Sequence, residues 1–195
     1  MKKKASASVI RIGSRDYWRD ASNYRESWQL RARDAAAFIF PGSRVLVLGC
    51  GPDQALEKFL PPGCTYIPAD IKQWKPSVRH IDLDAEALPP GTQCDCAVLL
   101  GVIEYLYRPA HAFQLLRQAV PRAVASYCHP VKGAGLSRWK ALGWRNAFSE
   151  SEFEALVQRA GWRIIGSKVY GNAKEVRQVI YSLSAEESRP GASSK

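Results

Sequence analysis

The chain has 195 residues, 46% of them hydrophobic and 24% charged, with 28 Lys and Arg against 18 Asp and Glu for a formal net charge of +10. That length suits one domain with a full core, and that balance excludes a wholly disordered chain. No apolar run approaches the roughly 20 residues that cross a bilayer, and Arg11 and Arg15 break any signal-like core behind Met1, so a cytoplasmic protein without a membrane span is expected.

The charge is unevenly spread. Residues 1–44 carry 10 basic and 4 acidic side chains, residues 45–100 carry 4 and 7, and residues 101–195 carry 14 and 7. Basic flanks of this kind steer an anionic acceptor or nucleic acid, or are simply a solvated surface.

In chain order, residues 1–14 read as a flexible basic tail, rich in Ser, Ala and Lys. A single domain then covers residues 15–184, with helices over 15–43 and an α/β core over 44–184, before a flexible tail at 185–195. Within Tyr17–Phe40, Tyr17, Ala21, Tyr24 and Trp28 share one helical face. The run Arg44–Leu48 is a buried parallel strand that ends in Gly49-Cys50-Gly51, and Pro52 suits the first turn of a following helix. Glycines there let the backbone turn sharply and approach a ligand.

Tyr66–Asp70 is a second strand ending in a carboxylate 21 residues beyond Gly49, placed to bond both hydroxyls of a ribose. A dinucleotide or an adenosyl cofactor follows from this order of elements. Gln54 stands where the nicotinamide fingerprint needs Gly or Ala, which weakens a nicotinamide-linked oxidoreductase.

A third strand leads into the acid-rich stretch His80–Pro89. A fourth, Cys94–Leu100, is followed by Gly101-Val102-Ile103-Glu104-Tyr105-Leu106. Pro109–Val120 reads as a helix and Ala123–Cys128 as a fifth strand. Ser149-x-x-Glu152 is a capping box for a helix stopped by Gly161. Arg163–Tyr170 and Glu175–Leu183 read as a hairpin joined at Gly171-Asn172. The five cysteines are odd in number. Cys94 and Cys96 share a strand face without a second ligand pair, so buried thiols are expected and no metal.

From Arg44 to Leu183 the chain resembles the small, single-domain class I S-adenosylmethionine-dependent methyltransferases, of the type 11-like kind. Val45-Leu46-Val47-Leu48-Gly49-Cys50-Gly51 is similar to their first motif. The resemblance implies a Rossmann-like α/β fold: a seven-stranded sheet, mostly parallel, with a C-terminal antiparallel hairpin and helices on both faces. It also implies S-adenosylmethionine as cofactor. Gly49, Cys50 and Gly51 would lie beside its methionine part and Asp70 on its ribose. Ile71 would lie against adenine, Asp84 and Ala85 would read the adenine edge, and Gly101 would flank the transferred methyl. Two departures stand out. Val47 occupies the place of the usual acid of the first strand. Asp53 occupies the place of a third glycine, where it either contacts the cofactor's amino group instead or narrows the pocket.

Methyl transfer from a sulfonium is an in-line displacement in which alignment supplies much of the acceleration. A base is needed only for a hydroxyl or a protonated amine. His129, after the fifth strand, and Tyr105, after the fourth, are the candidates, with Glu104 read as a helix-start or supporting residue. Tyr24 and Trp28 are candidates to lid the site. The segment Val131–Phe148 holds Lys132, Arg138, Lys140 and Arg145 among Trp139, Trp144 and Phe148 without an acid, a composition suited to covering the acceptor. The favoured acceptor is a small-molecule or glycan-type compound, with an anionic one best suited to the basic flanks. The alternative is a degenerate binding module with a compromised cofactor site that takes up nucleic acid.

Overall fold

A computed structural model describes residues 26–131, 140, 143–173 and 176–185. The expected positions Tyr17, Ala21, Tyr24, Lys132, Arg138 and Trp139 lie outside them, as does the whole of 1–14 and 186–195.

Strands β1 (Arg44–Leu48), β2 (Thr65–Asp70), β3 (Arg79–His80), β4 (Cys96–Leu100), β5 (Arg122–Pro130), β6 (Trp162–Ala173) and β7 (Val176–Ala185) form one seven-stranded sheet. Its order is β3-β2-β1-β4-β5-β7-β6, parallel from β3 to β5 and closed by antiparallel β7 and β6. The chain runs outward from β1 to β3 on one side and from β4 to β5 on the other. The strand order therefore reverses between β1 and β4, where open α/β sheets form their crevice.

Successive side chains on a strand face opposite sides, and the core divides accordingly. Val45, Val47, Val98, Val124 and Ile180 pack beneath helix α1 (Glu26–Ala36), whose Ala32, Ala35 and Ala36 let it lie close to the sheet. Leu46, Leu48, Ala97 and Leu99 face α2 (Pro109–Ala119) and α3 (Glu150–Arg159), packing with Phe113, Leu116, Phe153 and Trp162. Helix α3 starts on the expected capping box: Ser149 Oγ accepts the Glu152 N–H, and the Glu152 carboxylate accepts the Ser149 N–H at 2.8 Å. It stops at Gly161, whose φ of +84° is left-handed. Among the described residues no helix is long and apolar enough to cross a membrane.

Four expectations are corrected. No helix starts at Pro52. The chain turns until Gln54, itself left-handed at φ +49°, and only then forms a short 3₁₀ helix, Ala55–Phe59. Gly171-Asn172 is not the hairpin turn but part of β6, which continues to Ala173. Gly171 sits at an irregularity of the ladder, where a Cβ would meet the movable amide end of Gln178 on β7. Cys94 precedes β4 and packs on the α2 side, opposite Cys96, so the two do not share a face. Strand β5 runs on through His129 to Pro130, because Cys128, His129 and Pro130 pair with Gln178, Arg177 and Val176 of β7.

Candidate functional site

A cavity of about 990 Å³ opens at the carboxyl ends of β1, β2 and β4. Its floor is backbone. Gly49 and Gly51 have φ of +70° and +62°, and a Cβ on Gly49 would overlap Val102, so only glycine fits that turn. The Cys50 N–H donates to the Ala69 carbonyl at 3.1 Å, and the Gly51 N–H donates to Asp70 Oδ2 at 3.0 Å. Asp70, at the end of β2 and only 8% exposed, also accepts the Lys72 N–H on Oδ1 at 3.0 Å. Its carboxylate is thereby fixed between the glycine turn and its own loop. Burial and the nearby Asp70 charge push the Cys50 thiol up to about 12, so it stays protonated.

The wall beyond Asp70 is apolar and charged in turn. Ile71 lines the cavity at 57% exposure, and the Lys72 ammonium lies 3.9 Å from the Trp74 ring centroid. Asp84 also lines this wall, but both its carboxylate oxygens are engaged, accepting the Tyr107 and Arg108 N–H groups ahead of α2 at 3.1 and 2.8 Å. Ala85 is not among the lining residues. Its N–H turns back to the Asp82 carbonyl and its own carbonyl meets His111 Nε2. Asp82 and Leu83 line the cavity in its stead, one turn earlier in the same acid-rich stretch.

Both departures from the first motif reach the cavity. Val47 lines it while packing in the α1-side core. Asp53 is held by side chains: Gln29 Nε2 of α1 donates to it at 2.6 Å, and Lys58 Nζ lies 3.7 Å away. Asp53 thus ties α1 to the glycine turn.

The far end of the cavity begins at Gly101. Its φ is +71°, its N–H donates to Ser126 Oγ at 2.9 Å, and the Arg31 guanidinium packs where a Cβ would be. Beyond it the lining includes Trp28, Glu104, Tyr105, Trp144 and Tyr170. Tyr105 lines the cavity. Burial, then the Glu104 carboxyl, raise its hydroxyl well above the ordinary phenol value, so at neutral pH it is a hydrogen-bond donor and not a base.

The roof is fastened to the loop below it. The Arg145 N–H donates to the Glu104 carbonyl at 2.7 Å, and Asn146 Nδ2 donates to the carbonyls of Ile103 and Leu106 at 2.8 and 3.1 Å. Trp144 and Arg145 therefore line the cavity, whereas Phe148 packs toward Tyr127 in the core. At the rim the Arg145 guanidinium stacks on Tyr107, 4.6 Å from the ring centroid.

His129 does not belong to this constellation. Because β5 continues through it, it shares a face with Tyr127 and points to the α3 side, while Cys128 between them lines the cavity. His129 is 3% exposed and has aromatic contacts with Tyr127, Phe153 and Tyr181. Nδ1 lies 3.1 Å from the Phe148 carbonyl, so it carries the proton, and Nε2 accepts from the Tyr181 hydroxyl at 2.7 Å. Burial lowers its pKa. It is a neutral core residue with both nitrogens in use.

Arg31, Cys128, Tyr170 and Gln178 went unmarked in the sequence. Each reaches the cavity from an element distant in the chain, and no local spacing singles it out.

The family model that matches this chain, over residues 17–166, is a methyltransferase domain. Among solved structures, the 1,6-didemethyltoxoflavin-N1-methyltransferase of Burkholderia thailandensis is similar at 17% identity with a TM-score of 0.65, over 87% of this chain and 82% of that one. The magnesium protoporphyrin IX methyltransferase of Synechocystis PCC 6803 is similar at 17% identity and a TM-score of 0.59, over 82% and 84%. The [4+2]-cyclase SpnF is similar at 14% identity and 0.64, over 80% of each chain. At these identities the likeness is one of fold. No curated protein matches in sequence.

Proposed function

The chain belongs to the methyltransferase-domain family, and from that premise we propose that it passes the methyl group of S-adenosylmethionine to a small-molecule acceptor held beyond Gly101. As a member it is an S-adenosylmethionine-dependent methyltransferase; the acceptor and the residue roles are the proposal.

One observation carries this reading: a glycine turn bonded to a fixed Asp70, beside an exposed Ile71, at the strand-order reversal. The cofactor fits these residues. Each Asp70 oxygen spends one lone pair on a backbone N–H and keeps another for a ribose hydroxyl. Ile71 offers apolar surface to a purine face. Asp82 and Leu83, which line the cavity, would take the place of Ala85 beside Asp84 at the adenine edge, while the Asp84 carboxylate also holds the start of α2. The cofactor supplies a methyl group already activated on a positive sulfur. The protein's part is to align the acceptor with it and to exclude water, by means of Gly101 below and the Trp144 roof above. A cavity at the upper end of the usual 300–1,000 Å³ range accommodates both the cofactor and a small second molecule. Arg145 at the rim suits an acceptor that bears negative charge.

Calorimetric titration with S-adenosylmethionine and S-adenosylhomocysteine tests the site. Micromolar binding of both is expected. Asp70→Ala should weaken each by about 10- to 100-fold with an unchanged circular dichroism spectrum. Wild-type affinity in that variant defeats the assignment.

A further inference from the structure

Four aromatic side chains from separate stretches of chain line the cavity together with one buried carboxyl group. Trp28 comes from α1, Tyr105 follows Glu104, Trp144 belongs to the roof and Tyr170 to β6. The Arg31 guanidinium lies 5.8 Å from the Trp28 ring centroid, and its charge opposes the burial that raises the pKa of the Tyr170 hydroxyl. The Tyr170 hydroxyl is 3.9 Å from Cys128 Sγ, which follows Tyr127 on β5.

Glu104 is 1% exposed and lines the cavity. Its Oε1 accepts the Cys128 N–H at 3.0 Å, while Oε2 is buried without a hydrogen-bond partner among the described residues. A buried carboxyl with half of its accepting capacity unused is costly, and such groups persist where a site uses them.

We infer that Glu104 Oε2 takes the proton of a flat aromatic acceptor bearing a hydroxyl or ring N–H, clasped among Trp28, Tyr105, Trp144 and Tyr170. This rests on the methyltransferase reading above. Rings on several sides fit a planar partner. A sugar would leave most of its hydroxyls facing carbon, and Arg31 in the wall repels a cationic amine. In the reaction the acceptor's lone pair forms the new bond to the methyl carbon. The electrons of the breaking carbon–sulfur bond stay on sulfur as the thioether. The acceptor's proton moves to Glu104 Oε2, and the now neutral carboxyl returns it to water as product leaves. Burial raises the carboxyl's proton affinity while Arg31 opposes this.

The test titrates protein saturated with S-adenosylhomocysteine against 7-hydroxycoumarin, 7-methoxycoumarin, glucose and choline. The coumarins should bind, and glucose and choline should not. Glu104→Gln keeps the bond to Cys128; it should weaken 7-hydroxycoumarin by about tenfold or more, with 7-methoxycoumarin and S-adenosylhomocysteine unchanged. Equal 7-hydroxycoumarin affinity in the variant, no binding of either coumarin, or preference for glucose or choline overturns the inference. Failure of S-adenosylhomocysteine to bind the wild type is a separate result and defeats the cofactor reading itself. Should Glu104→Gln not fold, the wild type decides: 7-hydroxycoumarin affinity should fall as the carboxyl is protonated, and a flat acid limb overturns the inference.

Discussion

The two ends of the cavity are made of different material. The end proposed for the cofactor is mostly backbone: two left-handed glycines, and one carboxylate fixed by the N–H groups of Gly51 and Lys72. The end proposed for the acceptor is side chains from α1, the 103–106 loop, β5, the roof and the β6–β7 hairpin. Backbone sites demand a conformation and tolerate few residues, whereas side-chain sites demand a fold and can be redecorated. Chemistry common to many acceptors therefore belongs at the first end and specificity at the second.

The harshest way to break this comparison is Gly49→Ala. A left-handed non-glycine residue and the overlap with Val102 together should cost about 2–4 kcal/mol of stability, read as a lower urea midpoint, with S-adenosylhomocysteine affinity falling alongside. Adding Val102→Ala should recover the overlap but not the backbone strain. A variant as stable as wild type would mean that the turn is not conformationally demanding.

A middle-sized effect probes the boundary of the acceptor end. His129 is held neutral in the folded protein with its pKa below the ordinary 6.5, so the unfolded chain binds the proton more readily. Its contribution to stability is complete above about 6.5 and is lost as pH falls toward the folded-state pKa. Melting temperature should therefore drop on acidification, and His129→Gln should flatten that part of the curve while leaving S-adenosylhomocysteine affinity unchanged. A large loss of cofactor affinity would return His129 to the site.

The smallest effect is expected where a side chain intrudes on the backbone end. Asp53 is more than a third exposed, so removing its contacts to Gln29 and Lys58 by Asp53→Ala should cost under about 1 kcal/mol in a urea titration. A much larger loss would show that the α1 tie holds the glycine turn in place.

The same contrast decides what was legible in the sequence. β1, its glycines and Asp70 are neighbours in the chain or follow at a fixed spacing, so a short apolar run and a distance sufficed. The capping box at Ser149 was legible for the same reason. His129 was misplaced because the end of β5 is set by pairing with β7 about 50 residues later, and two added strand residues turn that side chain from the cavity to the core. Pro52 satisfied the local rule for a helix start, but the left-handed Gln54 turned the chain first. Glu104 was visible as a residue and not as a site, because its neighbours Arg31 and Tyr170 are far from it in sequence.

Asn146 has a consequence of its own. Its amide donates to two carbonyls and accepts the Tyr127 hydroxyl at 2.6 Å, which joins the roof, the loop and the core strand at one atom group. No other side chain of that length offers both functions: Asp lacks the donors and Leu lacks everything. The junction therefore constrains the identity of position 146 separately from that of Trp144 and Arg145, which line the cavity.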